Sequence, residues 1–241
     1  MRIGILEAGY VPEDLLDEHG SYPDMFVRLI GRAEPCFSFR SFQVLDDVFP
    51  DSVTDCDGWL VTGSKFGAYE DHAWIRRLET FLADAVAAEV PVVGICFGHQ
   101  VLAKALGGRV VKSDAGWGVG LHEYRIAGRP GWMDPETGHF TINAMHQDQV
   151  VVLPDGASVI ASSDFCPNAV LAYGDNAISF QGHPEFERPY AHALIATRRG
   201  VLVPEEAADV GIASLAGNAD SATVAEWIVR FFLAHDRRAA A

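Results

Sequence analysis

Two short stretches of the chain carry residues that could together perform nucleophilic catalysis. The first, Gly94-Ile95-Cys96-Phe97-Gly98, places a cysteine where an apolar run of strand length gives way to a helical pattern. The flanking glycines are expected to let the backbone turn sharply, so that the thiol projects from the bend. The second, Gly182-His183-Pro184-Glu185, supplies a histidine and a carboxylate on the same side of an extended segment. A thiol, an imidazole and a carboxylate that orients the ring are the parts of a catalytic triad.

A structural explanation competes with this catalytic interpretation, since a buried cysteine after a strand usually serves as a small apolar filler. The neighbouring glycines, Gln100 one helical turn later and the distant His-Pro-Glu segment favour a nucleophile at Cys96. The remaining cysteines lack such neighbours and are interpreted as packing or surface thiols: Cys36, Cys56 and Cys166. With no C-x-x-C pair, neither a disulfide framework nor a metal cluster is expected. A serine hydrolase is disfavoured because no Gly-x-Ser-x-Gly sequence is present.

Composition restricts the classes of function further. The chain has 241 residues, of which 49% are hydrophobic, enough for a sizeable core. Its formal charge of −15 disfavours nucleic acid and anionic membrane surfaces as partners. No apolar run approaches the roughly 20 residues that a spanning helix needs, and the first residues lack a signal-peptide pattern. A cytoplasmic location is therefore expected.

Apolar runs of strand length alternate with helical patterns over the first half of the chain. The predicted strands there are Ile3–Leu6, Phe37–Val44, Gly58–Thr62 and Val92–Ile95, and the predicted helices are Tyr22–Ile30, 71–88 and 97–106. This order favours an α/β fold of three layers, in which a mostly parallel central sheet carries helices on both faces. Shorter strands after Gly107-Gly108 indicate a small antiparallel excursion. Residues 201–220 are expected to form a mobile or partly helical connection before a last helix over 222–235.

Five motifs, in this chain order, resemble the class I (triad type) glutamine amidotransferases. They are Gly63-Ser64, Gly94 to Gln100, Gly116-Trp117-Gly118, Met145 to Val150 and Gly182 to Glu185. The resemblance covers residues 40 to 190 and is strongest to a stand-alone member similar to the glutaminase domain of GMP synthase. It implies a flavodoxin-like sheet and one domain over residues 1–241, with a core at about 40–190 and a C-terminal helical extension at 190–241.

The resemblance also implies a role for each matching residue. Cys96 would attack the amide carbon, His183 would transfer the proton, and Glu185 would hold the ring. Backbone N–H groups of Gly63 and Phe97 would bind the oxyanion. The substrate contacts implied in addition are Gln100, Trp117, His146, Gln147 and Asp148. Structural alternatives remain open here: Gly63 as a turn glycine, Trp117 as a core aromatic, and His146 as a structural residue or as one that supports the site.

The implied reaction is hydrolysis of the side-chain amide of glutamine, or of another γ-glutamyl compound, through a cysteine thioester. Glutamate and either ammonia or an amine would be released. A synthetase or acceptor subunit in trans is the partner that the resemblance suggests besides the small-molecule substrate. No cofactor and no metal are expected, because acyl transfer through a thioester needs neither. The alternative is a catalytically idle or partner-dependent binding or regulatory subunit with the same fold.

Overall fold

A nine-stranded sheet organises the computed structural model, which describes residues 1–133 and 138–236. Its strands are β1 (Arg2–Leu6), β2 (Ser38–Phe42), β3 (Gly58–Val61), β4 (Val92–Ile95), β6 (Gly118–Ile126), β7 (His139–His146), β9 (Ala157–Ser162), β10 (Val170–Tyr173) and β11 (Ala177–Phe180). A separate pair is formed by β5 (Arg109–Lys112) and β8 (Asp148–Val152). The order β2-β1-β3-β4-β11 is parallel, and β10, β9, β6 and β7 continue it with antiparallel pairing.

Helices cover both faces of the parallel strands. They are α1 (Glu13–His19), α2 (Tyr22–Ala33), α3 (Ala73–Ala87), α4 (Phe97–Ala105), α5 (Arg188–Arg198), α6 (Glu205–Ser214) and α7 (Ser221–Ala234). On one face, Phe26 of α2 and Trp227 of α7 share a buried cluster with Ile5 of β1. On the other face, Leu78 of α3 and Val101 of α4 pack with neighbouring strand residues. The fold class expected from the sequence is thereby confirmed, and the three layers follow from burying both faces of the sheet.

Local sequence explains where several helices begin. Ser21 caps α2, because its hydroxyl accepts from the Asp24 N–H while the Asp24 carboxylate accepts from the Ser21 N–H. Pro189 stands in the first turn of α5, where a missing N–H costs nothing. Among the described helices, none has the length and apolarity that crossing a bilayer demands.

Three elements differ from the sequence-based expectation. Helix α1 is absent from that expectation, and α6 gives the expected connection over 201–220 an ordered helical centre. Strand β7 covers residues for which no strand is expected, and it extends into residues 145–148, which are expected to form a loop: His146 ends β7 and Asp148 begins β8. The last residues of the predicted C-terminal extension, 237–241, lie outside the described residues.

The register of three neighbouring strands determines what can meet at their carboxyl ends. Val61 of β3 pairs with Gly94 of β4, and Phe180 of β11 pairs with Ile95 of β4. Parallel strands all end at the same edge of a sheet, where crevices for ligands form. The residues that follow β3, β4 and β11 are therefore brought side by side, and these are the segments that carry the motifs.

Candidate active site

Cys96 occupies a strained turn between β4 and α4. Its backbone has φ 53° and ψ −101°, a conformation that non-glycine residues rarely adopt. The Cys96 N–H is held by the Phe180 carbonyl at 2.8 Å. The expectation that the flanking glycines supply the bend is wrong, because neither has a positive φ. Both are needed for close packing instead: a Cβ on Gly94 would lie 2.5 Å from the Gly98 carbonyl oxygen, and one on Gly98 would overlap the Val61 carbonyl oxygen.

The turn places the Cys96 thiol at the amino end of α4, where Cys96 is the capping residue. Unpaired N–H groups and the helix dipole give this end a partial positive charge, which favours a thiolate. The N–H groups of Phe97 and Gly63 donate to no acceptor in the part of the chain that the structure describes. Two backbone donors are thus available near the sulfur, as an oxyanion would require.

His183 is buried and held on several sides. Its Nδ1 lies 2.7 Å from Oε1 of Glu185, whose side chain is also buried. The Phe186 ring stacks on the imidazole with centroids 3.9 Å apart, and the His183 N–H donates to the Asn143 carbonyl at 2.7 Å. Since Glu185 occupies Nδ1, Nε2 is the nitrogen left for the hydrogen bond with the Cys96 thiol.

Electrostatics around His183 favour its charged form. Burial lowers the pKa of the imidazole, but the charges of Glu185 and Cys96 and the hydrogen bonds to both outweigh burial and raise the pKa to about 10. An imidazolium beside the sulfur in turn stabilises a thiolate. The charged form of the His183 ring is therefore favoured beside the Cys96 sulfur.

Gly63, which follows β3, lies close to both Cys96 after β4 and His183 after β11. A Cβ at this position would lie 2.9 Å from Cε1 of His183 and 3.8 Å from Cβ of Cys96. Any side chain here would push the ring away from the thiol. The glycine is thus required by the close approach to His183, and not only by a turn.

A cavity of about 230 Å³ opens above Cys96. Five of the substrate contacts expected from the sequence line it: Gln100, Trp117, His146, Gln147 and Asp148. Phe97 contributes no side chain to it, because its ring is buried 5.5 Å from the ring of Trp74. The buried Gln100 amide donates to the Asp148 carbonyl at 3.0 Å and to Gln181 Oε1 at 3.2 Å, so it fixes the wall of the cavity.

The charge states of two wall residues follow from burial. Burial lowers the pKa of His146 to about 3, and its Nδ1 lies 3.2 Å from the Asp148 carbonyl, so the ring is neutral at pH 7 and donates from Nδ1. Burial also raises the pKa of the Asp148 carboxyl, although the Tyr69 hydroxyl donates to it at 3.3 Å. His146 consequently supports the wall as a neutral group.

Sequence reasoning missed part of the cavity wall. The additional lining residues are Ser64, Lys65, Phe66, Gly67, Tyr69, Glu70, Lys112, Arg198 and Leu202. Met145 lines the cavity too, as the resemblance implies for the loop at 145–148. Ser64 lies inside a family motif, but no role is predicted for it. Arg198 and Leu202 come from the end of α5 and the turn after it, and no local pattern indicates that this segment folds back over the cavity.

The remaining cysteines differ from Cys96 in their surroundings. Cys36 is exposed, whereas burial raises the pKa of Cys56 to about 11 and that of Cys166 to about 12. Within residues 1–133 and 138–236, no group of histidine, cysteine and acidic side chains is arranged to hold a metal ion. Of the four cysteines, Cys96 is the one that lines the cavity.

An α/β fold with a cysteine, a histidine and a glutamate at its strand ends is consistent with a hydrolase-type enzyme. Residues 42–197 match the model of the family described as glutamine amidotransferase class-I, and the chain belongs to this family. It is 33% identical over 185 residues to gamma-glutamyl peptidase 3 of Arabidopsis thaliana, covering 73% of this chain and 74% of that protein. It is 29% identical over 180 residues to a glutamine-hydrolysing GMP synthase subunit of Halobacterium salinarum, and the match covers 71% of this chain and 87% of that protein.

A solved structure supports the fold over nearly the whole chain. The crystal structure of a glutamine amidotransferase from Thermotoga maritima superposes with a TM-score of 0.75. The two sequences are 20% identical, and the match covers 97% of this chain and 96% of the other. The shared architecture thus includes the segments before and after residues 42–197.

Proposed function

We propose that the protein hydrolyses γ-glutamyl amides through a thioester at Cys96. The observation that carries the proposal is the continuous contact from the Cys96 thiol to His183 and on to Glu185, beside an open cavity. Membership of the amidotransferase family and the relative named as a gamma-glutamyl peptidase support the substrate class. Glu185 holds the ring through Nδ1, and Nε2 is free to exchange a proton with the sulfur.

The reaction would proceed in two halves. The Cys96 thiolate attacks the γ-carbonyl carbon, and the N–H groups of Gly63 and Phe97 bind the oxyanion that forms. Collapse breaks the C–N bond, and His183 gives its proton to the departing amine or ammonia. His183, now neutral, takes a proton from water as the water attacks the thioester. Glutamate leaves, and the sulfur again becomes a thiolate beside an imidazolium.

The charges of the cavity suit a γ-glutamyl group. Such a group carries an ammonium and a carboxylate on its α-carbon. Asp148 and Lys112 both line the cavity, and they lie close enough for the charge of the lysine to oppose the rise that burial causes in the pKa of the Asp148 carboxyl. We therefore assign Asp148 to the α-ammonium and Lys112 to the α-carboxylate, while Gln100, His146 and Gln147 shape this wall.

A second candidate function is ammonia supply to a synthetase in trans. It is favoured by the similarity to the GMP synthase subunit of Halobacterium salinarum. The two candidates share the chemistry at Cys96 and differ in the leaving group and in its fate. Turnover that requires an added synthetase would favour the second candidate.

The test is release of glutamate from glutamine and from γ-glutamyl peptides by the purified protein. We expect turnover that disappears in Cys96→Ala while circular dichroism keeps the native spectrum. Cys36→Ala, at an exposed cysteine, is the matched control and should retain the activity. Activity retained in Cys96→Ala would refute the proposal. No turnover, together with no preferential alkylation of Cys96, would favour the idle subunit.

A further inference from the structure

Phe186, three residues after His183, covers one face of the imidazole. The two rings are nearly parallel, with an interplanar angle of 8° and centroids 3.9 Å apart. Phe186 is only 3% exposed, as is His183, so water has little access to the contact between them. The imidazole therefore lies against a dry aromatic face, in addition to its hydrogen bond with Glu185.

Two tyrosines pack around the Phe186 ring and hold it in place. Tyr22 of α2 stacks on it with centroids 6.0 Å apart, and Tyr190 of α5 meets it edge-on at 4.7 Å and 72°. The Tyr190 hydroxyl donates to the Tyr22 hydroxyl at 3.1 Å, and both side chains are buried. Phe186 is thus fixed by contacts from two helices, and it has little freedom to turn away from the imidazole.

Asn143 of β7 fixes the backbones of both stacked residues. Its carbonyl accepts the His183 N–H at 2.7 Å, and its side-chain amide donates to the Phe186 carbonyl at 2.8 Å. Pro184 further restricts the chain between the two rings, because its own φ is fixed. The stack is therefore preorganised by the backbone, and little conformational entropy is lost when the rings come together.

The face of a phenyl ring carries partial negative charge and attracts a cation that lies over it, most strongly where water is excluded. We propose that Phe186 stabilises the imidazolium of His183 by cation–π stacking and fixes the plane of its ring, as a positioning residue for proton transfer. The inference rests on the function proposed above. Without the stack the neutral imidazole and the thiol gain population, and a thiol is the weaker nucleophile.

Other titratable groups also surround the imidazole, and they come from several elements. The charges of Cys96 after β4 and of Glu185 raise its pKa, whereas His146 at the end of β7 is a neutral neighbour at pH 7. Tyr22 and Tyr190 stay protonated, because burial raises the pKa of both hydroxyls. A test of the stack must therefore change the face of the Phe186 ring and leave these groups as they are.

Replacing Phe186 by mono-, di- and trifluorinated phenylalanine meets this requirement, since fluorine withdraws charge from the ring face and largely keeps its shape. NMR titration of His183 in Cys96→Ala avoids a thiol that titrates with the ring. We expect the pKa of His183 to fall with each added fluorine, by about 0.5 to 1.5 pH units in total. The same replacements at Phe232 of α7, whose buried ring packs against Phe37, are the control. A pKa of His183 that stays constant through the series would overturn the inference.

Phe186→Leu, with Cys96 in place, tests the consequence for turnover. Among the described residues, the walls of the catalytic cavity do not include Phe186, so we expect kcat to fall about 3- to 30-fold with KM unchanged. An unchanged kcat, or a loss that lies in KM, would overturn the inference. If Phe186→Leu does not fold, the fluorinated proteins give the same comparison. If the wild type hydrolyses no γ-glutamyl substrate, the proposed function fails, and the titration in Cys96→Ala still decides whether Phe186 stabilises the imidazolium.

Discussion

In the proposed mechanism, the reactivity of Cys96 depends on the buried carboxylate of Glu185. Neither Glu185 nor His183 is accessible to solvent in any useful degree, so water does little to stabilise the imidazolium. The carboxylate takes over that role, and the raised pKa of His183 is its consequence. The thiolate is then stabilised by a cation that is itself stabilised by Glu185.

Glu185→Gln should lower kcat by about 100-fold or more, since it removes the charge but keeps the shape of the side chain. The pKa of His183 should fall as burial becomes dominant, and alkylation of Cys96 by iodoacetamide at pH 6 to 7 should slow. Peptide mapping by mass spectrometry measures that rate. Glu187→Gln is the control, because Glu187 is exposed and pairs with Arg32. An unchanged pH profile of alkylation in Glu185→Gln would contradict this account.

Gly63→Ala tests the close approach of the strand ends. The added methyl group would lie 2.9 Å from the His183 ring and must displace it, so we expect kcat to fall at least 10-fold with the fold preserved. Gly131→Ala, where a Cβ would meet no atom within 4 Å, should leave kcat unchanged. Steady-state kinetics of both variants give the comparison. Normal kinetics in Gly63→Ala would show that the ring tolerates the methyl group.

The types and spacing of residues are sufficient to group Cys96, His183 and Glu185 as a candidate triad. Cys96 differs from the other three cysteines in its position between two glycines after a strand. The same patterns do not predict Arg198 or Lys112 in the cavity. Both reach it through the packing of α5 and of the β5–β8 pair, and packing of this kind leaves no local signature.

At the scale of elements, the turn between β4 and α4 stores backbone strain at Cys96, the proposed nucleophile. Gly94 and Gly98 let strand, helix and Val61 approach closely, while the positive φ of the turn falls on Cys96 itself. Strain of this kind persists only when the surrounding structure imposes it. The positive φ of Cys96 therefore lowers the stability of the fold at the residue that presents the thiol.

Cys96→Gly should be more stable than Cys96→Ala by about 1 kcal/mol. Glycine relieves a backbone strain on the order of 1–3 kcal/mol in the folded state. The greater flexibility of glycine in the unfolded chain lowers the free energy of unfolding by about 0.4–1 kcal/mol. Both variants lack the thiol, so the comparison isolates the backbone. The free energy of unfolding in urea measures the difference. An alanine variant as stable as the glycine variant would mean that the turn is unstrained.

Helices and strands with a clear hydrophobic pattern or a capping residue are predictable from the sequence, and those fixed by tertiary packing are not. The capped helix α2 and the buried strand β4 agree with their predicted bounds to within a few residues, since capping and continuous apolar runs are local signals. Strand β7 does carry a local signal, because Phe140, Ile142 and Ala144 alternate with Thr141 and Asn143 as in a half-buried strand. The predicted strands omit it, and its pairing with β6 identifies it in the structure. Short α1, of seven residues and with a single buried side chain, carries too little periodicity to be recognised.

At the scale of the whole molecule, we propose that the chain forms one domain. Helices from its two ends support this, because Phe26 and Ile30 of α2 share a buried cluster with Trp227 and Phe231 of α7.

His99 is a histidine that takes no part in the proposed reaction. It is fully buried on α4, with its Nδ1 2.8 Å from the Ser179 hydroxyl. Burial lowers the pKa of His99 from 6.5 to about 3.

This buried histidine makes stability depend on pH. Between pH 6.5 and 3 the unfolded chain binds a proton at His99 that the folded chain excludes, so the free energy of unfolding falls as pH falls. The contribution is about 1.4 kcal/mol per pH unit. His99→Asn should be less stable at pH 7 but should lose less with acid, by that slope, in urea unfolding at pH 6 and pH 5. The exposed His192→Asn on α5 is the control. Parallel curves for wild type and His99→Asn would contradict a neutral buried ring.

The central claim is that a γ-glutamyl group is carried on the sulfur of Cys96. Wild-type protein mixed with excess γ-glutamylglycine, quenched in acid within milliseconds to seconds and digested, should yield the Cys96 peptide with the mass of one added γ-glutamyl group. The adduct should be sensitive to hydroxylamine, as a thioester is, and absent from Cys96→Ser. Turnover without any adduct on Cys96, or an adduct on Cys36 alone, would contradict the account.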